Sequence, residues 1–180
     1  MVGTTHIAVF ACLVLPFILA VPVYAEDHPT EGEFSVTYTS LNAAPIKPID
    51  IGNGLQYVVS NAMMTAVNDD GYGLLHGMAG RCLMSTTINT NDKTFRQRGY
   101  CTYTDRDGDQ VFEKVDFEQQ PLGAALVAKG QWAGGTGKWA GLEGDIDIRH
   151  TPVKSPVEGI VQGAGKKHGR FKITKVSSAK

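Results

Sequence analysis

Cysteine, tryptophan and net charge are all scarce in this sequence: three Cys, two Trp and a formal charge of −1 over 180 residues. The near-neutral balance argues against a general nucleic-acid binder, which needs a basic surface to meet phosphates. No Cys-x-x-Cys pair is present, so a thiolate zinc cluster or a dithiol redox centre is not expected. His76, His150 and His168 lie far apart without ligand spacing, and no metal site and no cofactor are expected. A Gly-x-Ser-x-Gly elbow is also missing, which removes the usual serine-nucleophile reading. Long uninterrupted helical stretches are few, whereas Gly is plentiful at 21 residues, so strands and turns are favoured.

One long apolar run stands at the front. Ile7 to Val23 holds no charged residue and is followed by Tyr24-Ala25, with small residues at the positions a signal peptidase reads. Residues 1–25 are therefore read as a secretory signal peptide and 26–180 as the mature domain. Met1 to His6 lacks Lys and Arg, so a retained anchor of about 20 apolar residues is the competing reading. Cys12 lies inside the run rather than at its end, which argues against lipidation. The expected location is outside the cytoplasm, secreted or periplasmic, with no stable membrane anchor once the signal is removed.

The mature chain of roughly 155 residues suits one core. Its two cysteines, Cys82 and Cys101, are expected to bond in an oxidising compartment. Strand signals recur between turns: Phe34 to Tyr38, Leu55 to Val67, Leu74 to Ile88, Phe95 to Thr104, Val111 to Glu118, Ala124 to Trp132, Leu142 to Arg149 and Lys166 to Val176. This spacing predicts an all-β domain, a single antiparallel, calycin-like barrel of about eight strands.

Two turns fix the register. Centring the turn Thr90 to Lys93 between Asn91 and Asp92 sets Cys82 opposite Cys101. Centring the next turn on Asp107 sets Arg98 opposite Asp116 and Arg96 opposite Glu118, so that unlike charges face each other. The other face then carries Cys101, Tyr103, Val111, Val115, Phe117 and, among them, Glu113. A carboxyl group pointing into an apolar interior is held towards its neutral form by desolvation. Glu113, with Tyr103 beside it, is therefore the candidate catalytic or ligand-anchoring pair. The bland alternatives are a solvated place at the barrel mouth or a pairing with Arg81.

Near the C-terminus Glu143, Asp145 and Asp147 alternate with Leu142, Ile146 and Ile148, and Lys166, His168, Arg170 and Lys172 alternate with Phe171 and Ile173. From Arg149 to Lys180 eight Lys or Arg stand against one acid, Glu158. If these two strands are antiparallel neighbours, the acidic and basic ladders meet on the solvent side and the bias needs no partner. Asp105, Asp107 and Asp109 have the one-three-five spacing of a calcium loop, but the glycine is misplaced for one and a structural turn is expected.

The stretch Gly134-Gly135-Thr136-Gly137-Lys138-Trp139-Ala140-Gly141-Leu142-Glu143-Gly144, with Gly99-Tyr100-Cys101-Thr102-Tyr103 and Asp107-Gly108-Asp109, resembles the allene oxide cyclase and dirigent barrel superfamily, in particular its small exported bacterial members. The resemblance spans roughly Gly71 to Gly144. It implies a barrel whose plant relatives cyclise an epoxide or steer radical coupling inside it. No catalytic residue of theirs maps onto this chain. A phosphate loop would need a following helix, whereas a strand with Asp145 and Asp147 follows here.

The sequence thus leads to an exported barrel binding a small apolar or amphipathic molecule, with Trp132, Trp139, Phe117 and Met84 as ligand-contacting side chains. Two other classes stay open: an isomerase or cyclase using Glu113, and a surface module docking through its basic final strand. Oligomeric state is left open.

Overall fold

The computed structural model describes residues 28–43, 45–123 and 125–174; the expected signal peptide lies outside them. Ten strands follow in chain order: β1 Glu31–Asn42, β2 Ile49–Gly52, β3 Leu55–Asn68, β4 Met78–Asn89, β5 Thr94–Thr104, β6 Gln110–Pro121, β7 Leu126–Gly135, β8 Leu142–Glu143, β9 Asp145–Val153 and β10 Val161–Ile173. The one helical piece among the described residues is a single 3₁₀ turn, Gly137–Trp139. Eight strands close antiparallel in the order β1, β10, β9, β7, β6, β5, β4, β3 and back to β1. The short β2 adds to β3, and β8 adds to β10. Closure leaves no long strand edge unpaired within the wall.

The period-two pattern explains the wall. In β1 Phe34, Val36 and Tyr38 are buried while Glu33 and Thr37 are exposed. β3 is apolar on both parities because Val59, Met63 and Val67 cover its outer face, while Met64 and Ala66 face inward. The β4–β5 hairpin keeps one register from Ala79 opposite Thr104 to Asn89 opposite Thr94, and Cys82 lies directly across from Cys101. Their Cα atoms are 4.0 Å apart and the sulfurs are bonded.

Between β5 and β6, Arg98 opposes Asp116, Cys101 opposes Glu113 and Tyr103 opposes Val111, as the turn chemistry predicts. The register shifts between Phe95 and Gln97, so Phe95 opposes Gln120 while Gln97 opposes Phe117. This bulge is a correction to the expected Arg96–Glu118 pair: Arg96 faces two residues there, and its guanidinium approaches Asp116 instead, at 3.7 Å. An extra residue on one strand bends the ladder and moves the side chains beside it.

Expected boundaries also move, and the last strand begins at Val161 rather than Lys166. The segment before β4 is a loop, not strand, with Gly71, Gly73, Leu75 and Gly77 all at positive φ; Leu74 and Leu75 are buried there. Ile49–Gly52, which lies outside the expected strands, pairs with β3 through Ile49 and Tyr57. The strand expected from Leu142 to Arg149 is broken at Gly144 into β8 and β9. Here the glycine signature has its physical reason. Gly141 and Gly144 sit at φ +80° and +138°, and a Cβ on either would run into a backbone carbonyl, of Thr174 and Arg170 respectively. The final strand is described as far as Ile173; Lys175 and Val176 lie outside the described residues.

The acidic and basic ladders are neighbours on the outside, but Lys166 opposes Arg149 and the ion pairs run to residues outside the two ladders. β9 and β10 are antiparallel with Asp147 opposite His168, and Lys129 of β7 pairs with Asp147. Lys166 reaches Asp69 at 3.2 Å and Arg170 reaches Glu33 at 3.0 Å.

Candidate functional site

The register divides the barrel interior into two halves. At the end where β5 turns into β6 and β7 into β8, the space is filled by Trp139, Leu142, Leu74, Leu75, Phe34 and Phe171, all buried. The aspartates of the β5–β6 turn clamp this end. Asp105 accepts the backbone N–H groups of Asp107 and Asp109 with one oxygen, at 2.8 and 3.0 Å, and the Trp139 indole N–H with the other, at 3.1 Å. Lys138 contacts Asp105 at 2.9 Å and Asp107 at 2.6 Å. Burial works against ionisation of Asp105, yet the Lys138 and Trp139 hydrogen bonds outweigh it and hold its pKa below the ordinary value. The one-three-five aspartates therefore carry out the work of a turn.

The other half is hollow. A cavity of about 340 Å³ lies between the β4–β5 hairpin end and the middle of the barrel. Met64, Met84, Phe95, Val115, Phe117 and Ile148 supply apolar wall, and the Cys82–Cys101 disulfide lies flush with it. Exposed Leu122, Gly123, Pro152 and Val161 also border the space, so it opens to solvent at that end.

The inner end of the cavity is polar. Lys167 lines it, although its side chain is only 2% exposed. Its ammonium donates to Glu113 Oε2 and, at 2.7 Å, to the Tyr103 hydroxyl oxygen. It also lies 4.9 Å from the Tyr103 ring centre and 5.3 Å from that of Tyr38, distances at which a cation is attracted to the π face. Tyr38 in turn shares a hydrogen bond with His150 Nδ1, 3.1 Å away, and the two rings stack. Both line the cavity.

Burial governs the titration of this cluster. It pulls the Lys167 ammonium below its ordinary pKa, with the Glu113 carboxylate opposing the shift. It raises both phenols, chiefly by desolvation and further through the charge of Glu113. His150 is lowered by burial first and by the neighbouring Lys167 second.

Set against the expected site residues, the structure brings some together and separates others. Glu113 and Tyr103 do project inward, fully buried and side by side. Glu113 is neither at a mouth nor paired with Arg81, which donates to Asn61. It sits behind Lys167, however, and is not among the residues lining the cavity. Phe117 and Met84 do line it. Trp132 and Trp139 do not: Trp139 is held in the clamp, and Trp132 packs on Phe34 at 5.5 Å between ring centres. Large aromatics at a barrel end pack more readily than they project, because each buries so much apolar area.

Lys167 was absent from the sequence-based site. The signal was nonetheless there, since it shares the parity of Phe171 and Ile173, the inward residues of the last strand. Its charge argued against an inward place, and the basic ladder of Lys166, His168, Arg170 and Lys172 passed over it.

No protein-family model, curated protein or solved structure significantly matches the chain. The geometry of the barrel therefore carries the functional reading unaided.

Proposed function

We propose that this chain is an exported barrel protein that binds a small apolar or amphipathic molecule in its half-hollow interior, without turnover. The observation that carries the reading is the cavity. Its volume of about 340 Å³ falls in the range of ligand pockets, about 300–1,000 Å³. It combines an apolar wall, a few convergent polar groups and an open mouth, the combination that characterises small-molecule sites. Export is supported by the apolar run from Ile7 to Val23 and by the Cys82–Cys101 bond, since disulfides persist in oxidising compartments.

A second reading, an isomerase or cyclase as the superfamily resemblance implies, draws on the Tyr103, Glu113 and Lys167 cluster at the inner end. Binding is favoured over it because one oxygen of Glu113 is already committed to Lys167 and the carboxylate lies behind that lysine. A surface module acting through the basic last strand has less support, because Lys166 and Arg170 are met by Asp69 and Glu33.

Native mass spectrometry of protein purified from its natural compartment tests the reading. A small-molecule adduct lost on mild activation is the expected result. Bare polypeptide mass, together with no binding of the neutral dye N-phenyl-1-naphthylamine, would set it aside.

A further inference from the structure

We propose that the ligand is uncharged and carries one hydrogen-bond-accepting oxygen at its inner end, seated on the Lys167 ammonium; this rests on the cavity being a binding site. The argument begins with the donors of that ammonium. A lysine has three N–H groups. One is taken by Glu113 Oε2 and one by the Tyr103 hydroxyl. The third has no oxygen partner among the described residues, and Lys167 borders the cavity. A ligand oxygen placed there accepts a charge-assisted hydrogen bond, among the stronger kinds available.

The charge balance then selects among oxygens. Among the described residues Lys167 is the only Lys or Arg on the cavity wall, and no Asp or Glu lines it. Its charge is already met by Glu113, which is fully buried and bonded to it, so the inner end is neutral as a pair. A ligand carboxylate would put a second anion on one ammonium, with Glu113 unable to move away into water. A ligand amine would place two cations together. Either leaves a charge uncompensated in an apolar wall, a costly state. A ketone, ether or ester oxygen uses the third N–H without changing the balance.

Tyr38 and His150, the other titratable groups on the wall, do not alter this conclusion near neutral pH. Burial holds the phenol protonated and the imidazole neutral. Together they form a hydrogen-bonded rim around the head, while Met64, Met84, Phe95 and Phe117 surround the body.

The test is a matched series displacing N-phenyl-1-naphthylamine from the full folded protein at neutral pH: decane, 2-decanone, decanoate and decylamine. The ketone is expected to displace the dye about tenfold more tightly than the alkane, with acid and amine the weakest. In the double variant Lys167→Met/Glu113→Gln the ketone should lose its advantage while the dye still binds. Equal affinity for ketone and alkane, or tightest binding of the acid, would overturn the proposal while leaving the cavity a binding site. Failure of the dye and of every probe to bind the wild-type protein would overturn both. The wild-type series decides the matter even if the double variant does not fold.

Discussion

At the scale of single residues, the molecule turns on a cation and an anion buried together. Removing one partner of such a pair strands the other, which costs about 3–5 kcal/mol, whereas replacing both by well-packed apolar groups of similar volume is often neutral. Lys167→Met alone should therefore lower unfolding free energy by that amount in a urea titration, and the double variant Lys167→Met/Glu113→Leu should recover most of it. Equal losses in the two would mean that Lys167 contributes through packing of its stem and not through its charge. His150 gives a second prediction. Its folded pKa is lowered by burial and by Lys167, so the folded state resists protonation while the unfolded chain binds a proton near its ordinary value of 6.5. By linkage the protein should lose stability as pH falls below about 6.5, with the loss continuing down to the folded pKa. A His150→Gln variant should show a flatter stability profile through that window, and an unchanged slope would locate the acid sensitivity elsewhere. Glu113 was legible in the sequence because alternation and two turn centres sufficed to aim it. Lys167 was not, because the same alternation had to be believed over the expectation that lysine lies in water.

At the scale of elements, the hairpins were the most readable part of the chain. Turn residues fix where a strand reverses, and a two-residue period then assigns every side chain to a face. That is why the Cys82–Cys101 pairing and the Arg98–Asp116 pairing follow from two turns alone. The logic fails where an extra residue enters. The bulge between Phe95 and Gln97 and the break at Gly144 both interrupt a ladder. Neither leaves a trace in hydrophobic alternation, because Leu142, Ile146 and Ile148 keep their parity across the break. The segment 74–77 failed for a different reason: buried Leu74 and Leu75 look like strand residues, yet they cover the packed barrel end from a loop. The β4–β5 hairpin carries the third prediction. Its disulfide closes a loop with a sequence separation of 19, for which chain-entropy arguments give a stabilisation of about 3 kcal/mol. Cys82→Ala/Cys101→Ala should lower the unfolding free energy by about that much in a chemical-denaturation series. A change well under 1 kcal/mol would mean that the hairpin turn already restricts the unfolded chain as tightly as the bond does.

At the scale of the whole molecule, the closed wall was legible in eight strand signals, but the division of its interior was not. Which half fills depends on volumes summed over many strands. The end with Trp132, Phe34 and Phe171 is filled because these large rings meet there, and the other is open because Ser60, Ala62 and Thr86 leave room. This contrast yields a test that separates a ligand cavity from a packing defect. Ala62 lies on β3 opposite Cys82 and lines the open half. Ala62→Phe would direct a benzyl group into that space, where filling a void restores dispersion contacts that the lining atoms lack. If the void serves only as a flaw in packing, filling it should raise the melting temperature and remove nothing. If it is the binding site, the same substitution should hold or raise the melting temperature of the free protein while abolishing binding of N-phenyl-1-naphthylamine. It should also abolish the upward shift in melting temperature that a ligand confers by binding the folded state alone. A variant that stays folded and still binds dye with wild-type affinity would place the ligand outside the barrel, and with it the role we assign to Lys167.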